Sequence, residues 1–335
     1  MNQKNYFSSV KKYDVIGLES PVMDCVLRLA NLPRSNTRQQ IKDITWQGGG
    51  KVSTGLAATT RLGGKTAIIG TIGDDRNGRA VCNEFRHLGI DPSFLLVREQ
   101  THTSMSVILS DEETGGRSIL FDRDQRLDMT VEELDTDVID QADYLFVSHF
   151  EPVHIKALTY AKEHGIKTFM DSDNLRQGEE VFPYLHLVDY YIASEELYES
   201  LYNEPPAGTS LRSRCLEMQQ INRGVVIFTL GSRGLAGADE NGYFTMPAFD
   251  VEVVDTTGAG DVFHGAYLAA LLKNYDPREA ARYASAAAAI KCTCIGGRAG
   301  IPDEATLEHF LNSGIIDPSI QEYWLNYYRS EQMFT

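Results

Sequence analysis

The sequence predicts an α/β fold in which a doubly wound parallel sheet lies between two layers of helices, an αβα sandwich, with a small second sheet protruding from it. Two observations carry this prediction. Short apolar runs are continuous rather than alternating and are separated by stretches of helical period, the pattern of strands covered on both faces. At two places that rhythm gives way to extended, partly alternating segments that suit a separate small sheet.

Taken in order, a polar leader precedes Tyr13–Leu18, which reads as a buried first strand. Val22–Leu29 and Arg38–Trp46 form the first extended pair. Helices are expected over Val52–Leu62 and Gly78–Leu88, with a strand at Ala67–Ile72 between them. Thr103–Leu109 and Arg117–Asp122 form the second extended pair, joined by a polar turn containing Gly115 and Gly116. The four extended segments read either as one protruding sheet or as surface hairpins. Strands at Tyr144–Ser148, Thr168–Asp171, Tyr190–Ala193 and Val225–Leu230 then alternate with helices at Val153–His164 and Thr209–Asn222. From Ala259 to Leu311 the chain reads as wholly helical. Asp317–Thr335 carries Ile320, Tyr323, Trp324, Tyr327 and Tyr328 at helical spacing, as in a helix packed on its own domain. These boundaries give a main domain over residues 13–312, with the small sheet drawn from about 20–46 and 100–124, and a helical extension over 313–335.

With 335 residues, 42% hydrophobic and 23% charged, the chain has the composition of a globular enzyme. A net charge of −16 argues against a nucleic-acid surface, which needs clustered Lys and Arg. Local binding of a small phosphate ligand by backbone N–H groups is compatible with it. The five cysteines, Cys25, Cys82, Cys215, Cys292 and Cys294, are scattered and lack zinc-like spacing, so they read as reduced thiols. The N-terminus has no apolar signal region and no stretch approaches a membrane span. A cytoplasmic protein without nucleic-acid or membrane partners is expected.

The most informative stretch is Asp255–Leu271, DTTGAGDVFHGAYLAAL. A strand-like run (Val251, Val253, Val254) meets a turn at Gly258, Ala259 and Gly260, and a helix of small residues follows. Residues this small let backbone N–H groups crowd around an oxyanion where the helix dipole also favours negative charge. Asp261, in the first helical turn, can then take a proton from an alcohol attacking a phosphate. A second glycine-rich helix start, Trp46-Gln47-Gly48-Gly49-Gly50-Lys51, offers close backbone approach to an oxygen-rich ligand. Each motif alone also suits a mere packing corner.

The run Asp-Thr-Thr-Gly-Ala-Gly-Asp-x-Phe-x-Gly-Ala closely resembles the C-terminal signature of the ribokinase-like (PfkB) carbohydrate kinases. Gly48–Gly50, with Leu62-Gly63-Gly64 and Ile69-Gly70-x-Ile72-Gly73-Asp74-Asp75-x-x-Gly78, resemble that family's N-terminal glycine motif. The resemblance implies a ribokinase-like fold whose small β lid covers the substrate and joins a homodimer. It also implies an ATP-dependent kinase acting on a hydroxyl, primary in this reading, of a sugar or sugar derivative. Asp261 would be the general base, and Gly258, Ala259 and Gly260 the anion hole. Asp24 would hold sugar hydroxyls, with Gly49, Gly50, Lys51 and Thr54 also on the substrate side. Thr229 and Gly231 would face the ATP phosphates, Gly296 and Gly297 would lie near the adenine, and Ser194 and Thr256 complete the nucleotide side. Asp255 and Thr257 match positions that in many members bind a monovalent cation such as K+. Mg2+ would arrive with ATP, mostly through phosphates and water.

The chain departs from the family pattern at two positions. Thr54 stands where many members carry Asn, and Ala193-Ser194-Glu195-Glu196-Leu197 where Asn-x-x-Glu is common. Phe249–Asp303 is especially similar to sulfofructose kinases, which tolerate both changes. The Asn and Arg that grip the sulfonate there fall at Phe121 and Phe150, which cannot pair with an anion. Arg38 and Arg123 are candidates for holding a carboxylate or phosphate. A nucleoside kinase using Phe121 and Phe150 as an apolar base pocket, a sugar-phosphate or sulfosugar kinase, and a non-catalytic regulator that kept the fold are the alternatives.

Overall fold

Burial on both faces decides the large sheet. A computed structural model describes residues 11–114, 116–173, 180–330 and 332–335; the leader through residue 10 and Gly115 of the polar turn lie outside the described residues. The chain opens with β1 (Tyr13–Leu18), β2 (Val22–Leu29), β3 (Asp43–Gly49), α1 (Lys51–Arg61), β4 (Thr66–Gly73), α2 (Arg76–Leu88) and β5 (Asp91–Arg98). It continues through β6 (Met105–Asp111), β7 (Arg117–Asp122), α3 (Thr136–Ile139), β8 (Ala142–Val147), α4 (Pro152–Glu163) and β9 (Lys167–Ser172). Then follow β10 (Tyr190–Ser194), α5 (Glu195–Tyr202), α6 (Gly208–Asn222), β11 (Val225–Thr229), β12 (Leu235–Asp239) and β13 (Gly242–Met246). Four helices close the chain: α7 (Ala259–Leu272), α8 (Pro277–Cys292), α9 (Glu304–Ser313) and α10 (Ser319–Arg329).

Nine strands form one sheet in the order β13-β12-β11-β10-β9-β8-β1-β4-β5. From β1 the chain winds outward through β4 to β5, then returns to the other side of β1 and winds through β8 to β11. The reversal lies between β1 and β8, where an open α/β sheet forms its ligand crevice at the carboxyl ends of its strands. Val15 packs into the apolar cluster with α1, α2 and α7–α10, whereas Ile16 and Leu18 pack into the one with α3–α6. This is the αβα sandwich the sequence predicts. No helix among the described residues is long and apolar enough to cross a membrane.

The second sheet has the order β3-β2-β6-β7, so the four extended segments join as one sheet. β2 and β6 run parallel, and the outer pairings are antiparallel. β3 begins at Asp43 rather than at Arg38, because its pairing with β2 starts at Arg28↔Asp43. Arg38 lies in an exposed loop.

The structure corrects three further expectations. The large sheet is not wholly parallel, since β12 and β13 form an antiparallel hairpin at its edge. Its sequence signal is Asn241-Gly242, with Gly242 at φ 96°. Val251–Val254 is not a strand. The segment 259–311 is three helices rather than one helical run, and residues 293–303 are non-helical. Gly296, at φ 79°, breaks the helical path there, while Asp276 and Glu279 form a capping box that starts α8 afresh.

Candidate functional site

The start of α7 is shaped by close backbone approaches. Gly258 has φ 73°, and a Cβ on it would lie 2.8 Å from the Gly297 Cα, so only glycine fits. The predicted anion turn is thereby brought against the Gly296–Gly297 loop. Gly260 is open, its nearest approach being Asp173 Oδ2 at 3.5 Å from an added Cβ. The amides of Gly260 and Asp261 sit in the first turn, where N–H groups have no helical acceptor. His264 steadies this turn from below. Its Nδ1 lies 2.6 Å from the Gly260 carbonyl oxygen and its Nε2 3.3 Å from that of Ile192, and burial lowers its pKa.

Beside this turn, β9 ends in an acidic pair. Asp171 is fully buried, and neither of its carboxylate oxygens has a hydrogen-bond donor among the described residues. His264 Nδ1 is 3.2 Å from Asp171 Oδ2. The donor atoms of Asp171, Asp173 and His264 lie within 4.8 Å of one another. Burial raises the Asp261 pKa well above the usual carboxylate range, and the charges of Asp171 and Asp173 raise it further. His264 and Lys51 oppose that rise. Burial likewise raises the Asp171 pKa, with Asp173 adding to it and Lys51 opposing it. The group can therefore hold a proton or attract a hard cation. Asp171 and Asp173 fit magnesium, which prefers carboxylate oxygens; His264 does not, because its nitrogens face backbone carbonyls. The signal for this pair in the sequence is Asp-x-Asp at a strand's carboxyl end.

Asp255 is buried, and its two carboxylate oxygens accept the amides of Thr257 (2.9 Å) and Gly296 (2.8 Å). Burial pushes its pKa up, but Lys291 and these amides outweigh burial and hold it low. Lys291, itself fully buried, donates to the Asp255 carbonyl at 2.8 Å. Lys291 thus places a protein ammonium on the Asp255 backbone oxygen, while the buried Thr257 hydroxyl has no hydrogen-bond partner among the described residues.

On the other side, Asp24 lies on β2 opposite Gln47 and Ser106. Burial raises its pKa to about 6, although Arg298 and the Ser106 hydroxyl lower it and Glu84 and Glu19 add to it. The Asp24 carboxylate packs on Gly49, where an added Cβ would be 2.3 Å from Oδ2. Thr54 Oγ1 accepts from Arg298 Nε at 3.3 Å. The glycine-rich start of α1 does not leave all its amides open, because Glu19 accepts from the backbone N–H of Lys51 (3.0 Å) and of Ser53 (2.8 Å). Gly50 and Lys51 line a cavity of about 660 Å³ together with Glu19, Ser106, Phe121 and Arg123. Asp24, Gly49, Thr54 and the α7 turn lie outside its wall. Lys51 is common to both places, since its charge also acts on Asp171 and Asp261.

The remaining predicted residues fall at strand ends and turns. Ser194 and Thr229 are neighbours in the β10–β11 register, and Ser194 Oγ donates to the Asp173 carbonyl at 3.1 Å. Gly231 opens the turn after β11 at φ 57°. Glu195 is paired with Arg233. Thr256 Oγ1 accepts from Arg117 Nη1 at 3.0 Å, so the small sheet touches the anion turn. Phe121 is 79% exposed and faces the cavity, whereas Phe150 is in the core, so the two do not form one apolar pocket. Arg123 lines the cavity paired with Asp128, and Arg38 does not reach it.

Residues 11–304 match the pfkB family carbohydrate kinase model. The 5-dehydro-2-deoxygluconokinase of Bacillus licheniformis is 26% identical over 92% of this chain and 98% of its own length. The ribokinase of Haemophilus influenzae is 28% identical over 78% of this chain and 87% of its own. The fructokinase-1 of Zea mays is 28% identical over 77% of this chain and 86% of its own. Among solved structures, the ribokinase of Thermotoga maritima superposes with a TM-score of 0.75 at 24% identity, covering 90% of this chain and 100% of that one.

Proposed function

The chain belongs to the pfkB family of carbohydrate kinases and is an ATP-dependent sugar kinase, and we propose that Asp261 is its general base. In this reading a hydroxyl of the bound sugar, a primary one, attacks the γ-phosphorus of ATP in line. The new O–P bond forms as the bond to the β-phosphate oxygen breaks, ADP leaves, and the hydroxyl proton passes to Asp261. The first-turn amides following Gly258 receive the charge that develops on the transferred group, worth roughly 3–4 kcal/mol for a preorganised donor. A positioned base contributes roughly a hundred- to ten-thousandfold. The observation that carries this reading is the single place where Asp261, the Gly258–Gly260 turn and the Lys51 charge converge.

Asp24 holds the sugar hydroxyls as a carboxylate acceptor. Ser194, Thr229, Gly231, Thr256, Gly296 and Gly297 form the nucleotide side. Magnesium, which neutralises the ATP phosphates, would be held by Asp171 and Asp173; Asp173→Asn then raises the magnesium concentration needed for half-maximal turnover, and an unchanged requirement removes that residue. Lys291 makes the enzyme independent of K+. A second copy of the chain covers β7 and forms a homodimer through the lid.

The test is formation of ADP and phosphorylated product from magnesium and ATP with ribose, fructose, 5-dehydro-2-deoxygluconate, a sugar phosphate and nucleosides. A sugar or sugar acid is expected to be consumed. Consumption of nucleosides alone would make this a nucleoside kinase, and binding without ADP from any compound would make it a regulator.

A further inference from the structure

We propose that Tyr328 in the C-terminal helix is a positioning residue for sugar binding, acting through Glu84 and Arg298 on the Gly48–Gly49 end of β3 and on Asp24. The inference rests on the reading that Asp24 grips the sugar. The family match ends at residue 304, so α10 lies beyond it.

The connection is a continuous chain of buried contacts. The Tyr328 hydroxyl donates to Glu84 Oε1 at 2.8 Å, and Glu84 Oε2 accepts from Arg298 Nη1 at 2.7 Å. Tyr328, Glu84 and Arg298 are all fully buried. Arg298 Nη2 donates to the Gly49 carbonyl at 2.9 Å, and its backbone amide donates to Gln47 Oε1 at 2.8 Å. Arg298 belongs to the loop that packs on the anion turn, yet its side chain serves β3 and α1.

The packing leaves no slack in this chain. A Cβ on Gly48 would lie 2.0 Å from both Arg298 Nη1 and Glu84 Oε2, and one on Gly49 would lie 2.3 Å from Asp24 Oδ2. The ion pair and the sugar-side carboxylate therefore rest directly on consecutive α-carbons. A displaced Arg298 moves the strand end that fixes Asp24, and it also removes charge facing that carboxylate. The same tail grips the outer lid strand, through the Arg329–Asp43 pair and the edge-to-face contact of Phe334 with Trp46, 5.6 Å between ring centres.

Tyr328→Phe keeps the ring and removes the hydroxyl. It is expected to raise the KM for the sugar at least fivefold, with kcat and the KM for ATP changed less than twofold. Asp24 faces Arg298, Ser106, Glu84 and Glu19, and with Arg298 less firmly held the acid limb of kcat/KM for the sugar moves to higher pH. Ile320→Ala loosens the same helix without touching this chain, so it lowers Tm and leaves the sugar KM unchanged. An unaltered sugar KM in Tyr328→Phe overturns the proposal. So does an equal rise in Ile320→Ala, which would show that general loosening is enough. Asp24→Asn separates the two levels: if it raises the sugar KM while Tyr328→Phe does not, only the positioning role fails. If Asp24→Asn leaves the sugar KM unchanged, the reading of Asp24 fails with it.

Discussion

Burial decides which single charges can act. Lys291 and Asp255 illustrate this, because a buried lysine donates to the Asp255 backbone carbonyl and, in the proposed reading, takes the place of a cation from the buffer. Turnover is therefore expected to be the same in K+, Na+ or choline salts of equal ionic strength. Lys291→Met, which leaves the Asp255 oxygen without its cation, should lose most activity and regain part of it in K+. A wild-type enzyme several-fold faster in K+ would contradict this account. Asp261 and the Gly258–Gly260 turn are legible in the sequence because they are contiguous and their chemistry depends on small residues beside one carboxylate. Asp171, Asp173, Lys291 and Arg298 are not legible in that way. They reach the site from the end of β9, from α8 and from the loop that follows it, and only the folded chain shows which buried charge faces which.

At the scale of elements, the two glycine-rich turns open α1 and α7, and these helices touch through glycines. A Cβ on Gly265 would lie 1.9 Å from the Gly55 carbonyl oxygen, and Thr59 Oγ1 donates to the Gly265 carbonyl at 2.9 Å. One on Gly55 would meet Phe146 at 2.5 Å and the Asp261 carbonyl oxygen at 3.3 Å. Gly265→Ala should cost about 1–3 kcal/mol by overpacking and lower kcat more than a surface substitution of equal ΔTm, since it pries α7 from α1. Equal kcat at reduced Tm would mean that helix spacing does not set the site geometry. The strands buried on both faces are legible from their continuous apolar runs, and α1, α2, α4 and α6 from their period. The β12–β13 hairpin and the break at 293–303 are harder to read, because one is a short edge pairing and the other a glycine loop between two alanine-rich or apolar helices.

At the scale of the whole molecule, β7, an edge strand of the small sheet, is largely exposed. Leu120 is 60% exposed, and alternation along the strand turns it away from Phe121, which faces the cavity. A second copy on this face predicts a dimer mass in sedimentation that Leu120→Lys converts to a monomer; a monomeric wild-type chain would end that reading. The substrate itself is the least legible feature, because in the proposed reading it is chosen by cavity-lining side chains such as Phe121, Arg123 and Ser106, whose convergence follows from the fold rather than from any local motif. In the proposed mechanism Asp261 removes the proton of the attacking hydroxyl. The most direct measurement of that step is the single-turnover rate of Asp261→Asn with saturating sugar, magnesium and ATP, beside the affinity of the same protein for ATP. The rate should fall at least a hundredfold with ATP affinity within a few-fold of wild type. A rate equal to wild type would contradict it.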